Sequence, residues 1–497
     1  MDLIMVPQGW KNLITNTLAQ VESGIIPMAR IDDAVTRILR TKIRAGLFEK
    51  GAPSTRMLAG EADIIGSAEH RAIARDAVRK SLVLLKNKNQ LLPLKGEQHI
   101  LITGDGADNI GKQNGGWTIT WQGTENKNSD FPGATSIYAG LKQAVENNGG
   151  SVELSADDSW VKKPDVAVVV FGEEPYAEGV GDIESLVYRD GYQADLELLQ
   201  SLKAKNIPVV AVFLTGRPLW MNAELNSSDA FVVAWLPGSE GVGLADVMVA
   251  DNAGKARFDF TGRLSFDWPN SELDRTDISR PVTDLLLTRG QGLSYGDAEI
   301  IADGLNEKPL VDLSKAARVV FSGSARPPFK TYVGDSSNWQ KLVQGNKSAS
   351  AFGDLTVTTV DGTVQEDSRL VEWKGGRESQ FYFQSEAGID LSNLRDEDAA
   401  LVMIVKIDKK PKGAVTLRMD CGWPCSGGLN ITRILRAIPE GQPVRLGVKL
   451  SCFEKVGVNL KKVNSPFVLV SSKEFALTIA DVRVTKDISE KSLIGCG

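Results

Sequence analysis

Histidine is nearly missing from these 497 residues: only His70 and His99 occur, and neither has a partner at metal-ligand spacing. Ser-His-Asp hydrolysis and His-rich zinc sites are both poorly supported by so few imidazoles. Cysteine is scarce too, with Cys421, Cys425, Cys452 and Cys496 all near the C-terminal end. Disulfides in an exported protein and free thiols both remain open, and the connectivity is undetermined. Cys421-Gly-Trp-Pro-Cys425 has one residue too many for the usual redox spacing and reads as a bridged or exposed loop. No apolar run approaches the ~20 residues that span a bilayer; the longest are strand-sized, such as Val166 to Phe171. Neither charge sign dominates, with 57 Lys plus Arg against 63 Asp plus Glu for a net of −6. That excludes a basic stripe for nucleic acid and a polybasic membrane segment, so a neutral ligand fits better. The N-terminus lacks the basic-then-apolar pattern of a secretory signal. Met1 to Pro7 reads instead as a buried strand already under way, so the start looks cut from something longer.

What is present suffices for two or three domains, since 42% of the residues are hydrophobic. Pro27 to Phe48 reads as an amphipathic helix, with Ile31, Ala34, Val35, Ile38 and Leu39 on one face and Gly46 near its end. A strand and one or two helices cannot enclose a core alone, so residues 1–50 read as the last piece of a repeating β/α domain, followed by a linker over 51–75. Over 76–300, strand runs alternate with helical stretches: His99 to Gly104, Val152 to Leu154, Asp165 to Gly172, Pro208 to Gly216 and Ala230 to Pro237 against Ser136 to Asn147, Asp195 to Ala204 and Glu240 to Val249. This pattern predicts a mostly parallel sheet with helices on both faces, whose ligands bind at the carboxyl ends of the strands. A charged helix-like or linker stretch from Asp297 to Lys315 covers the expected boundary at 301–318. Period-two runs then fill 319–497, at Ser379 to Phe383, Leu401 to Ile407, Ala414 to Met419, Val444 to Leu450, Phe467 to Val470 and Phe475 to Val484. They predict an antiparallel β-sandwich.

The strand Val166 to Gly172 empties into Glu173-Glu-Pro-Tyr-Ala-Glu178-Gly-Val-Gly-Asp182, an acidic, glycine-rich loop at the carboxyl edge of the expected sheet. Glycosidic cleavage needs one carboxylic acid to protonate the leaving oxygen and a second carboxylate to attack or to activate water. The loop supplies the first, although acids after a strand are most often solvated, and Glu173, Glu174, Glu178 and Asp182 are not distinguishable on physical grounds alone. A second segment, Gly115-Gly-Trp117-Thr-Ile-Thr-Trp121-Gln-Gly123, also follows a strand and sets two indoles between glycines. Flat indole faces suit sugar rings, and core tryptophans are the alternative. The glycines from Gly104 to Gly111 match neither a Walker lysine motif nor a dinucleotide fingerprint.

Taken in order, these segments resemble glycoside hydrolase family 3, in particular the exo-β-1,3/1,4-glucanases and β-glucosidases. The carriers are Asp2 to Pro7, Arg30 to Arg40, Gly46-Leu-Phe48, Leu84-Leu-Lys-Asn87 with Leu91-Leu-Pro-Leu94, the two segments above, Gly216-Arg-Pro218, Ala234 to Gly241, Gly262-Arg-Leu-Ser265 and Gly292-Leu-Ser-Tyr295. The resemblance implies an α/β chain: the end of a (β/α)8 barrel, then a mostly parallel α/β sandwich, then an antiparallel β-sandwich. It implies retaining hydrolysis of β-glucosidic bonds with Glu178 as general acid/base, and sugar binding by Trp121 and Trp117. Burial against tryptophan and a neighbouring carboxylate would raise the Glu178 pKa. The aspartate nucleophile of the family's barrel falls outside this chain, so the isolated chain is expected to be inactive. The alternatives are a non-catalytic sugar-binding or scaffold fragment and one chain of a two-chain glycosidase completed by a barrel-bearing partner. No metal or organic cofactor is implied; the substrate class is β-glucan or β-glucoside, with no nucleic acid or membrane partner, in a periplasmic or secreted enzyme. In the C-terminal region, which resembles the extra sandwich of some bacterial members, Trp339, Trp373, Phe381, Phe383 and Trp423 are sugar-stacking candidates on one reading and core fillers on the other.

Overall fold

Every position of Val166-Ala-Val-Val-Val-Phe-Gly172 is apolar, which suits only a strand covered on both faces. In the computed structural model, which describes residues 1–6, 9–183, 185–188, 193–272, 285–309, 317–396 and 398–496, this run is fully buried inside a six-stranded sheet. The strands are β1 (Val83–Asn87), β2 (His99–Thr103), β3 (Ser151–Leu154), β4 (Val166–Gly172), β5 (Val209–Leu214) and β6 (Ala230–Trp235), in the order β1-β6-β5-β4-β2-β3. All pairings are parallel except the antiparallel edge between β1 and β6.

Alternate side chains of β4 enter two separate cores, as the two-residue period of a strand demands. Val166, Val168 and Val170 join Ile137, Leu141, Leu244 and Met248, while Ala167, Val169 and Phe171 join Leu199, Leu202, Phe213 and Phe231. The helices named there are α5 (Ile137–Glu146) and α8 (Val242–Met248) on one face and α6 (Ala194–Ala204) on the other, with the short α4 (Ile110–Asn114) and α7 (Asn222–Asn226) at loop ends. The expected strands and helices thus appear within a residue or two, the helix expected from Glu240 beginning at Val242. The edge strand β1 is one that the sequence pattern leaves out.

Residues 1–71 form a separate compact unit holding α1 (Trp10–Glu22) and α2 (Met28–Arg44), while α3 (Ala68–Ser81) leads into the second unit. Pro27 stands at the N-cap of α2 in extended conformation, as its fixed φ allows. Neither α1 nor α2 buries a residue. The buried strand expected at Met1 to Pro7 is corrected: residues 1–6 are irregular, with Met1, Leu3 and Met5 at least three-quarters exposed, and Pro7 lies outside the described residues. An apolar run becomes a strand only where another strand pairs with it, and none does so here among the described residues.

Of the two readings of Asp297 to Lys315, helix-like or linker, the helix-like one does not hold for the described part. Over 297–309 the chain has no helix and lies as a strap, with Ile301 and Leu305 packed on the second core and the Leu305 amide donating to Asn226 Oδ1; residues 310–315 lie outside the described set. From Arg318 onward two mainly antiparallel sheets enclose one core, with a parallel pair between Pro443–Lys449 and Leu493–Ile494. Trp373, Phe381 and Phe383 fill that core and are removed from the sugar-stacking set, whereas Trp339 and Trp423 are exposed. All four cysteines are bridged, Cys421 to Cys425 and Cys452 to Cys496.

Candidate functional site

The loops that leave β2 and β4 at their carboxyl ends meet, and glycine permits the approach. A Cβ on Gly116 would lie 1.8 Å from the Tyr176 carbonyl oxygen, so no side chain is tolerated where the two loops cross. Beyond it Trp117 and Ile119 hold positive φ, 82° and 65°. This conformation is costly for non-glycine residues and worst for a β-branched one. The turn is closed by the Trp117 amide donating to the Trp121 carbonyl at 3.2 Å. Trp117 is turned out to solvent, 61% exposed, and stands edge-on to Trp121 with ring centroids 6.0 Å apart. Together with Ile119 and Thr120 the two indoles line an open cavity of 320 Å³. Trp121 is half-buried, and its indole N–H is buried without an acceptor among the described residues.

The acidic loop is braced by its own first two carboxylates. Glu173 forms an ion pair with Arg217 at 3.0 Å and accepts from Thr215 Oγ1 at 2.7 Å and Tyr176 OH at 3.2 Å. Arg217 lies over the Tyr176 ring at 4.0 Å and donates to the Gly181 carbonyl at 2.7 Å. Burial, and then the Glu173 charge, push the Tyr176 phenol up to about 12. Glu174 pairs at 2.8 Å with Lys112, whose almost fully buried ammonium also holds Asp105 at 2.7 Å. Glu178 differs: its side chain is exposed and engages no other side chain among the described residues. Asp182 is likewise exposed, further along the loop. The burial against tryptophan expected for Glu178 is therefore not supplied by the described residues.

One residue that sequence reading passes over ties the parts together. Gln122, 1% exposed, accepts from the Ala177 amide at 2.8 Å and donates to the Gln365 carbonyl at 3.0 Å. The acid loop, the tryptophan loop and the C-terminal sandwich thus share one side-chain amide. Its only sequence signal is its place directly after Trp121. The structure brings Glu178, Trp117 and Trp121 to one edge of the sheet, as Gly116 and Gln122 require. Among the described residues no group of three His, Cys, Asp or Glu side chains is arranged to hold a metal ion.

Comparison with known proteins gives two family matches. Residues 82–295 match the glycosyl hydrolase family 3 C-terminal domain, and residues 327–484 match a galactose-binding domain-like family. The chain is 33% identical over 306 residues to the lysosomal beta glucosidase of Dictyostelium discoideum, covering 55% of this chain and 35% of that protein. It is 29% identical over 282 residues to the periplasmic beta-glucosidase of Salmonella typhimurium, covering 50% of this chain and 35% of that protein. The crystal structure of an exo-1,3/1,4-beta-glucanase (ExoP) from a Pseudoalteromonas species matches with a TM-score of 0.59 at 40% identity, covering 99% of this chain and 60% of that one. The chain therefore spans about a third of the length of the two glucosidases.

Proposed function

This chain belongs to glycosyl hydrolase family 3 through residues 82–295, and on that premise we propose that it contributes the acid/base half of a retaining β-glucosidase or exo-glucanase site. The observation that carries this reading is Glu178, an exposed carboxylate without a side-chain partner, on the loop that crosses the paired indoles of Trp117 and Trp121. Glu173 and Glu174 are already committed to Arg217 and Lys112, which leaves Glu178 as the acid nearest the crossing that is free to meet a substrate. In the proposed reaction Glu178 protonates the glycosidic oxygen as the bond to the anomeric carbon breaks. A nucleophilic carboxylate bonds to the anomeric carbon in place of that oxygen; water, giving a proton to Glu178, then attacks the same carbon and displaces the carboxylate.

That nucleophile comes from polypeptide outside these 497 residues, a reading supported by the chain's matching only 35% of each glucosidase relative. The partner carboxyl is to lie roughly 5–5.5 Å from Glu178 in the assembled site. Closure by that polypeptide would also shield Glu178 from water. Trp121 and Trp117 are the proposed sugar-contacting walls. Export is supported by the two disulfides and by the periplasmic name of the Salmonella relative.

The test is hydrolysis of an aryl β-glucoside and of laminari- and cello-oligosaccharides by the 497-residue chain beside a form carrying a family barrel at its N-terminus. Activity in the barrel-bearing form alone is expected. Robust turnover by the bare chain would place both carboxylates within these residues and overturn the proposed division. Sugar binding without turnover in both forms would favour a non-catalytic role.

A further inference from the structure

The loop joining sandwich strands Leu355–Val360 and Ser368–Trp373 is held by its own carboxylates, chiefly that of Asp367. Asp367, 9% exposed, accepts the Gly362 amide at 2.7 Å and the Thr363 and Val364 amides at 2.9 Å each, and takes the Ser368 hydroxyl at 2.9 Å. The Glu366 amide returns to Asp361 Oδ1 at 2.9 Å. Three consecutive amides on one ionised acceptor leave the loop little freedom, since charge-assisted bonds are the stronger kind.

What this loop presents is aimed at the candidate site. Val364 fills the notch beside Gly179, directly after Glu178, where a Cβ would come within 2.5 Å of Val364 Cγ1. The Gln365 carbonyl receives Gln122, whose other end holds the Ala177 amide, directly before Glu178. Glu366 Oε2 accepts the Trp121 amide at 2.6 Å. Arg369 is wholly buried and pairs with Glu125 at 3.2 Å, and the Gly345 amide donates to the Glu125 carbonyl at 2.9 Å, securing the far side of the tryptophan loop. The residues before and after Glu178 and the backbone of Trp121 all rest on this one loop.

We propose that Glu366 and Asp367 are positioning residues: through the 361–367 loop the C-terminal sandwich sets the backbone of Trp121 and the placement of Glu178. The inference deepens the glycosidase reading and rests on it for its catalytic consequence. The mechanical part does not depend on that reading. Within the loop, Asp367 maintains the shape and Glu366 makes the outward bond.

Hydrogen exchange on the 497-residue chain tests the mechanical part. Glu366→Ala is expected to speed exchange about tenfold or more over residues 117–123 and 174–181, the size of a lost bond to a charged acceptor. Strands Ser379–Gln384 and Ser465–Ser471 should keep their wild-type rates. Glu366→Gln, which retains an acceptor and the side chain's size, should fall between, and it carries the test should the alanine variant fail to fold. Lys330→Ala, at an exposed lysine elsewhere on the sandwich, should change nothing in either loop. Unchanged exchange over 117–123 in both Glu366 variants, or a uniform rise across the sandwich, would overturn the proposal.

In the barrel-bearing enzyme, the same variants should lower kcat/KM on an aryl β-glucoside in the same order, alanine by about tenfold and glutamine less. Glu178→Gln is measured beside them. Full activity in Glu178→Gln would sink the acid/base reading while leaving the exchange result standing. Loss in Glu178→Gln with wild-type behaviour of both Glu366 variants would sink the positioning role alone.

Discussion

At the scale of single residues, the deciding fact is which carboxylates are already occupied. Four acids follow β4, and two of them, Glu173 and Glu174, are engaged by cations from elsewhere in the chain, Arg217 after β5 and Lys112 on α4. No spacing rule displays that, because Arg217 and Lys112 are each distant in sequence from the acid they hold. Replacing Glu178 by glutamine in a barrel-bearing enzyme should slow oligosaccharide hydrolysis by roughly 10²–10⁴-fold. An aryl glucoside with a good leaving group should suffer less, because its departing oxygen needs little protonation. Parallel kcat/KM measurements on the two substrates check this, and equal losses would argue against a proton-donating role. Trp121→Ala should raise KM more than it lowers kcat if the indole binds sugar in ground and transition states alike. An unchanged KM would mark Trp121 as a structural residue.

At the scale of elements, the site is built from loops that pass within contact distance of each other. Gly116→Ala should destabilise the protein by about 1–3 kcal/mol, the usual cost of overpacking where backbone has no room to yield. Urea unfolding would register it, and a neutral result would mean the loops part easily. On β1 the Lys86 ammonium is buried and donates to the Leu225 and Ser228 carbonyls at 2.6 and 2.7 Å. Burial, helped by the charges of Lys88 and Lys203, pulls it down from 10.5 to about 8. Between those two values the unfolded chain retains a proton that the folded protein has released, so stability should rise with pH across that window. Below about pH 8 the fold bears the whole cost of a buried ammonium. The difference in urea midpoint between wild type and Lys86→Met should therefore shift in favour of wild type from pH 8 to pH 10.5. A difference that stays flat with pH would show that this lysine is not desolvated.

At the scale of the molecule, the sandwich and the α/β sheet belong to one compact unit, and the sandwich is itself closed by a covalent link near its end. Cys452 and Cys496 are 44 residues apart, a loop for which chain entropy gives about 4 kcal/mol. Cys421 and Cys425 close a far smaller ring, worth about 2 kcal/mol on the same basis. The double substitution Cys452→Ser with Cys496→Ser should lower stability by about 2–4 kcal/mol in denaturant melts. The corresponding pair at 421 and 425 should cost less, and an equal or reversed order would show that the entropic account fails here.

Local pattern alone determined the α/β order of the middle region and six of the sandwich strands, because a strand such as Val166 to Gly172 or Leu401 to Ile407 declares its burial through its own side chains. It also determined that an acidic loop and a pair of indoles follow two of the strands. Tertiary structure decided the rest. Met1 to Val6 has the composition of a strand but no strand beside it among the described residues, and Asp297 to Pro309 has the charge of a helix surface but lies as a strap on a core. Trp373, Phe381 and Phe383 were compatible with sugar contact until the two sheets closed over them. Above all, the standing of Glu178 among its neighbours, and the bond from Glu366 to the Trp121 amide across 245 positions of sequence, depend on long-range pairing. A residue's type sets which partners it accepts; only the folded chain sets which of them it meets.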